Sequence, residues 1–273
     1  MTDLLTQFSN AALDGFTSRR SALGQAGKLG AAAALAAIPF LKPGRAQAQS
    51  MSGDFGILNY ALTLEYLERS FYRQALAADA AAPATAKIIP AAVRPLFVEI
   101  EKNEAAHVTL LAGAIRTAGG SPVLYEDRDF TFPGFLNSFE NIATLAQGLE
   151  DTGVRAYKGQ AAAIDNKAFL TVALQIHSVE ARHAAAIRRL AASPAEKGWI
   201  PGDQPGAPAD IAPVYAGEGN TSQGGVELTT ALSGYTAEQI TEAFDETLTM
   251  QEVLAIAGPF ITGIEGDGLR RPA

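Results

Sequence analysis

Two runs of the form Glu-x-x-His, Glu104 to His107 and Glu180 to His183, interrupt what are otherwise apolar helical stripes. The spacing puts an acid and an imidazole one turn apart on a single helix face, the face a helix buries. The 273 residues contain only three histidines, and two of them sit in this pattern. A chain built on such stripes must bring charge into its core, and buried charge is costly unless it is paired or holds a metal.

The pattern falls on two of four long helical segments. We read α1 from about Asp54 to Ala78 and α2 from about Pro90 to Ala118, with Pro95 in the first turn and Gly119-Gly120-Ser121-Pro122 as the stop. Asn137, with Glu140, opens α3, which runs to about Ile164, and Asp165 or Asn166 caps α4, which ends at Ser193-Pro194. Segments of about 25 residues, or about 38 Å, suit an all-α bundle. Short links make α1–α2 and α3–α4 antiparallel hairpins. The link from Gly119 to Leu136 is long enough to run the length of the bundle, and its Tyr125, Phe130, Phe132 and Phe135 are expected to pack on the outside. That connection is a crossover joining two hairpins.

The loop-rich segment 194–273 is read as an extension packed on the bundle, with no chemistry visible in it. Its Pro/Gly-rich part precedes two short helices opened by Thr236-x-x-Gln239 and Thr249-x-x-Glu252. At the other end, residues 1–48 read as an export signal. Arg19-Arg20 precede a mild apolar run, Leu29 to Leu41, and Ala46-Gln47-Ala48 offers a cleavage site. The run is too short for a membrane span. The paired arginines suggest the twin-arginine route, with a Sec signal or an uncleaved amphipathic terminus as alternatives. Removing this segment takes five basic and two acidic residues, which leaves a net charge of −11 from −8. No basic face remains for nucleic acid, and the Arg188-Arg189 pair is read as a solvated helix end. With no cysteine, thiolate sites and disulfides are excluded.

On the inner stripes, α2 reads Phe97, Ile100, Glu104, His107, Leu111, Ile115 and α4 reads Phe169, Val172, Ile176, Glu180, His183, Ile187. α1 carries Glu65 and Tyr72, and α3 carries Glu150 and Tyr157, seven residues apart in each case. One device is therefore written twice: Glu…Tyr on the first helix of a hairpin, Glu-x-x-His on the second. Four carboxylates and two imidazoles would meet near mid-bundle, and two divalent cations would offset the charge. Such oxygen-rich sites suit iron or manganese. Glu68 is assigned to the rim, because the Glu–Tyr spacing of α3 is matched by Glu65. His177 is read as peripheral, one turn before Glu180.

Glu65, Glu104-x-x-His107, Glu150 and Glu180-x-x-His183 resemble the two-metal motif of the ferritin-like superfamily over about Asp54 to Ser193. The stretch LNYALTLEYLERSFY (Leu58 to Tyr72), after its leader, is similar to exported bacterial ferritin-like proteins of the desiccation-related branch. The resemblance implies that Glu104 and Glu180 bridge two metals. Glu65 and Glu150 are then terminal ligands, His107 and His183 complete the sites, and Tyr72 and Tyr157 stand behind them. Two iron or manganese ions so held would suit an oxidoreductase acting on peroxide or dioxygen, and the leader is expected to place it in the periplasm or cell envelope. Metal sequestration, or a metal-stabilised stress protein without turnover, are the alternatives. The long loop and extension argue against a standard cage and leave a homodimer open.

Overall fold

The computed structural model describes residues 53–191, 197–202 and 211–262. The export segment therefore lies outside the described residues. Four long helices form the body: α1 (Gly53–Ala81), α2 (Arg94–Thr117), α3 (Phe139–Ala161) and α4 (Lys167–Ala191). Pro95 falls at the start of α2, where its missing N–H costs nothing. α3 is capped by Ser138, whose hydroxyl accepts the Asn141 N–H. The Asn137–Glu140 cap read from the sequence is thus displaced by one residue, and the Asn137 side chain instead accepts from the Asn141 amide. Asn166 caps α4 by accepting the Ala168 N–H, while Asp54 at the start of α1 accepts the N–H groups of Asp165 and Asn166.

The cross-links fix the topology. Tyr72 of α1 bonds Glu150 of α3, and Tyr157 of α3 bonds Glu65 of α1, so these helices are antiparallel. His183 of α4 approaches Glu104 of α2 and His107 approaches Glu180, so that pair is antiparallel as well. α2 and α3 then run the same way, which only a full-length crossover allows. The connection climbs along α1: Asn59 holds Ser121 and Val123, Tyr66 packs on Tyr125, and Ser70 and Gln74 donate to the Asp127 and Phe130 carbonyls. Val123, Tyr125, Phe130 and Phe132 are buried by this climb. As a result α1 is buried on nearly every side from Gly56 to Tyr72.

The extension does the same for α3. After a short 3₁₀ turn (Ala212–Tyr215) it forms a small antiparallel ribbon of β1 (Ser222–Gln223) and β2 (Val226–Glu227). Then come α5 (Leu228–Ala231), α6 (Ala237–Thr241) and α7 (Met250–Ala257). Capping boxes at Thr236/Gln239 and Thr249/Glu252 open the last two helices. Residues Leu145 to Tyr157 of α3 are all buried. Glycine permits the close approach at two points. A Cβ on Gly159 would overlap the Leu248 carbonyl, and one on Gly148 would strike Ile211.

Buried charge fastens the extension. Arg155, on α3, donates to the carbonyls of Val214, Ala216 and Glu246 and pairs with Glu218 at 2.9 Å, both side chains being out of water. Arg188 is also buried, against the reading of a solvated helix end. It pairs with Asp151 on α3, and its guanidinium lies 5.5 Å from the Tyr215 ring centre. Tyr215 donates to Asp151 and accepts from Gln147. An arginine at a helix end reads as solvated when, as here, its carboxylate and aromatic partners come from distant sequence. Among the described residues no helix is long and apolar enough to cross a membrane.

Replacing Arg155 with Leu leaves Glu218 buried without its cation. We expect a loss of about 3–5 kcal/mol in denaturant unfolding, together with rapid proteolytic release of the extension. A variant as stable and as protease-resistant as wild type would contradict this docking role.

Candidate metal centre

The four glutamates and two histidines of the twice-written device meet at mid-bundle. Glu65, Glu104, Glu150 and Glu180 are fully buried, and His107 and His183 nearly so. His107 Nδ1 lies 3.0 Å from Glu65 Oε2, 3.2 Å from Glu104 Oε2 and 3.0 Å from Glu180 Oε1. His183 Nδ1 lies 2.9 Å from Glu104 Oε1, 3.3 Å from Glu150 Oε2 and 3.6 Å from Glu180 Oε2. Two groups of possible ligand atoms result, Glu65/Glu104/His107/Glu180 and Glu104/Glu150/Glu180/His183, each within 4.8 Å. Glu104 and Glu180 belong to both.

The donor set fits a pair of cations. Glu104 Oε1, Glu150 Oε2, both oxygens of Glu180 and His183 Nδ1 are buried without an aligned hydrogen-bond partner, although several lie in close contact with one another. Polar atoms that crowd together without hydrogen-bonding directions are poorly satisfied by each other and well satisfied by a shared ion. Each group offers three carboxylates and one imidazole, an oxygen-rich set with one nitrogen.

Without an ion, protons must do the compensating. Burial and the neighbouring Glu180 charge raise Glu104 well above the usual carboxylate range, against the pull of both histidines. Burial lifts Glu150 to about 7, with His183 opposing. Burial acts the same way on Glu180, but contact with His107 and His183 outweighs it and brings Glu180 to about 2. Burial disfavours the imidazolium of His183, yet the Glu150 charge and contacts with Glu104, Glu150 and Glu180 push it up to about 12. His107 is raised by the same contest, with Glu65 leading. The metal-free centre is a proton-sharing lattice in which the two imidazoles are pushed towards imidazolium and Glu104 and Glu150 towards the neutral acid.

Around it, Tyr72 donates to Glu150 and Tyr157 to Glu65. Each tyrosine therefore serves the glutamate of the opposite hairpin, not the one two turns away on its own helix. Asn103 is a functional neighbour that sequence reasoning misses. Its amide lies 3.1 Å from His183 Nε2, which leaves Nδ1 turned to the carboxylates. Its one signal is adjacency to Glu104. Glu68 is a correction: it is buried to 3% exposure beside the four glutamates, and no rim carboxylate. Glu68 is buried against α3, in the space that Gly153 leaves by having no side chain. His177 is half-buried, its Nε2 without a hydrogen-bond partner, and it belongs to neither group.

A small apolar cavity, lined by Ile57, Ala61, Leu64, Tyr157, Ile164 and Ala173 among others, reaches Tyr157. Its free space of about 10 Å³ holds one water-sized molecule. A larger cavity of about 620 Å³ lies between the crossover and the extension, and none of the six residues lines it.

Two hairpins, a full-length crossover and paired Glu-x-x-His motifs together define a ferritin-like bundle. Compared with known families, residues 53–193 match the Ferritin-like domain, which is more than half of the chain. The protein belongs to the ferritin-like family. No curated protein matches the chain.

Metal loading must displace the protons of this lattice. His107, His183 and Glu150 all have folded values above their unfolded ones. Their contribution to the metal-free fold is complete at acid pH and is lost as pH rises through those folded values. The metal-free melting temperature should therefore fall as pH rises, from about 4.5 to about 7 with Glu150 and on from about 6.5 towards about 12 with His183, and the extra stability conferred by Mn(II) should widen. A gap that stays constant with pH would contradict this.

Proposed function

We propose that the chain is an exported two-metal oxidoreductase, holding iron or manganese and acting on peroxide or dioxygen in stress protection. The observation that carries the reading is the sharing of Glu104 and Glu180 between two buried ligand groups, since carboxylates so shared would hold two ions side by side. Glu65 and Glu150 would each complete one position, with His107 and His183 as the nitrogen ligands. Two adjacent redox ions supply the electrons for O–O chemistry.

The chain's own residues support that chemistry in separable ways. Glu104 and Glu180 hold the pair in register from α2 and α4. Tyr72 and Tyr157, both with hydroxyl values raised by burial and then by Glu150 and Glu65, keep their protons and orient the two terminal carboxylates. Asn103 orients His183. The enclosing apolar side chains exclude bulk water, and the cavity at Tyr157 suits a diatomic or peroxide better than an organic substrate. The absence of cysteine leaves no thiolate relay for electrons, which favours self-contained chemistry such as disproportionation. Sequestration or a metal-stabilised envelope protein without turnover is the competing reading, and the buried, proton-balanced centre is compatible with it.

Anaerobic reconstitution with Fe(II) or Mn(II) of the mature chain, expected to begin at Gln49 when recovered from the cell envelope, decides between them. The enzymatic reading predicts peroxide disproportionation or Fe(II) oxidation well above the free ion, lost by at least about a hundredfold in Glu104→Ala with the fold retained. Loss of melting temperature alone in that variant, with no turnover in wild type, would establish the structural reading instead.

A further inference from the structure

The two halves of the centre correspond at the six ligand candidates and both tyrosines: Glu65 with Glu150, Tyr72 with Tyr157, Glu104 with Glu180 and His107 with His183. They diverge a single turn beyond the first glutamate. Glu68 follows Glu65 by three residues, whereas Gly153 stands at the matching place after Glu150. The two sites of difference face each other. A Cβ built on Gly153 would lie 2.9 Å from Glu68 Oε1 and 3.7 Å from Glu180 Oε2. The missing side chain of one half is thus the space occupied by the extra carboxylate of the other.

Glu68 is buried, with 3% of its surface exposed. Its nearest charges of consequence are Glu180, Glu104, Glu65 and Glu150, all of its own sign. A buried carboxylate surrounded by carboxylates has no structural justification in the protein alone. It stands outside both ligand groups as they are placed without an ion, on the side built by α1 and α3 and against Glu180 across the Gly153 gap, while the imidazoles come from α2 and α4. Tyrosines and the Gly153 gap, not nitrogen ligands, mark that side.

We propose that Glu68 is a seventh protein ligand, serving one of the two metal positions from the α1–α3 side and making the two positions unequal. The inference rests on the two-metal reading above. Four carboxylates balance two divalent ions, and a fifth balances one further positive charge, so the pair is suited to holding one ion in a trivalent state. Gly153 is what makes room for it. The near-repeat of the sequence therefore does not produce equivalent sites: one position takes an additional carboxylate, and the other lacks it.

The test is a titration with Mn(II), following the free ion by its electron paramagnetic resonance signal, on wild type, Glu68→Gln and Gly153→Ala. Glu68→Gln keeps shape and removes the charge, so the fold should persist. Wild type should bind two ions in unequal steps. Glu68→Gln should weaken one step by at least about tenfold and leave the other. Gly153→Ala, which displaces the Glu68 carboxylate, should weaken the same step. The rise in melting temperature on Mn(II) loading should shrink in both variants. Two ions bound by Glu68→Gln with both constants unchanged, or weakened equally, would overturn the role of Glu68 while leaving the two-metal centre standing. A wild type that binds no Mn(II) or Fe(II) would overturn both.

Discussion

Five buried glutamates gathered at the middle of one helical bundle set the terms for everything else in this molecule. Glu65, Glu68, Glu104, Glu150 and Glu180 could not remain ionised in a low-dielectric interior without compensation. His107 and His183 lie among them, and the carboxylates around each push its imidazole towards the protonated form. The bundle's length, its crossover and its extension follow from the need to keep this cluster dry and its geometry fixed. A looser fold would hydrate the carboxylates and lose the convergence of ligand atoms.

The two hairpins reach that end by unequal means. α1 is sealed by the crossover, which uses backbone carbonyls and aromatic rings against Asn59, Ser70 and Gln74. α3 is sealed by the extension, which uses ions: Arg155 with Glu218, and Arg188 with Asp151 under Tyr215. Asp151 follows Glu150 directly, so the network that fastens the extension and the ligand set share one turn of helix. Buried ion pairs give little net stability against an apolar alternative, but they allow the extension to dock in one register only.

The helices, their order and the six converging residues are legible in the sequence because helical period and residue type act locally. Glu-x-x-His at one turn and Glu…Tyr at two turns need no knowledge of the rest of the chain. What escapes is decided by segments far away in sequence. Glu68 reads as a rim residue until α3 packs on α1 and Gly153 leaves room for its carboxylate inside. Arg188 reads as solvated until Asp151 and Tyr215 arrive, and Arg155 gives no signal at all before residues 214–247 are in place. The bond from each tyrosine to the glutamate of the other hairpin is equally hidden, since period places a side chain on a face without saying which neighbour it meets. The cap of α3 shifts from Asn137 to Ser138, the residue whose extended backbone lets its hydroxyl reach the third helical N–H.

The central claim is that two ions share Glu104 and Glu180. Crystals of the mature chain loaded anaerobically with manganese or iron, with diffraction collected at the absorption edge of that metal, test it most directly. The account predicts two anomalous peaks about 3.5–4 Å apart, both within bonding distance of Glu104 and Glu180. A single peak, or peaks remote from these two carboxylates, would contradict it.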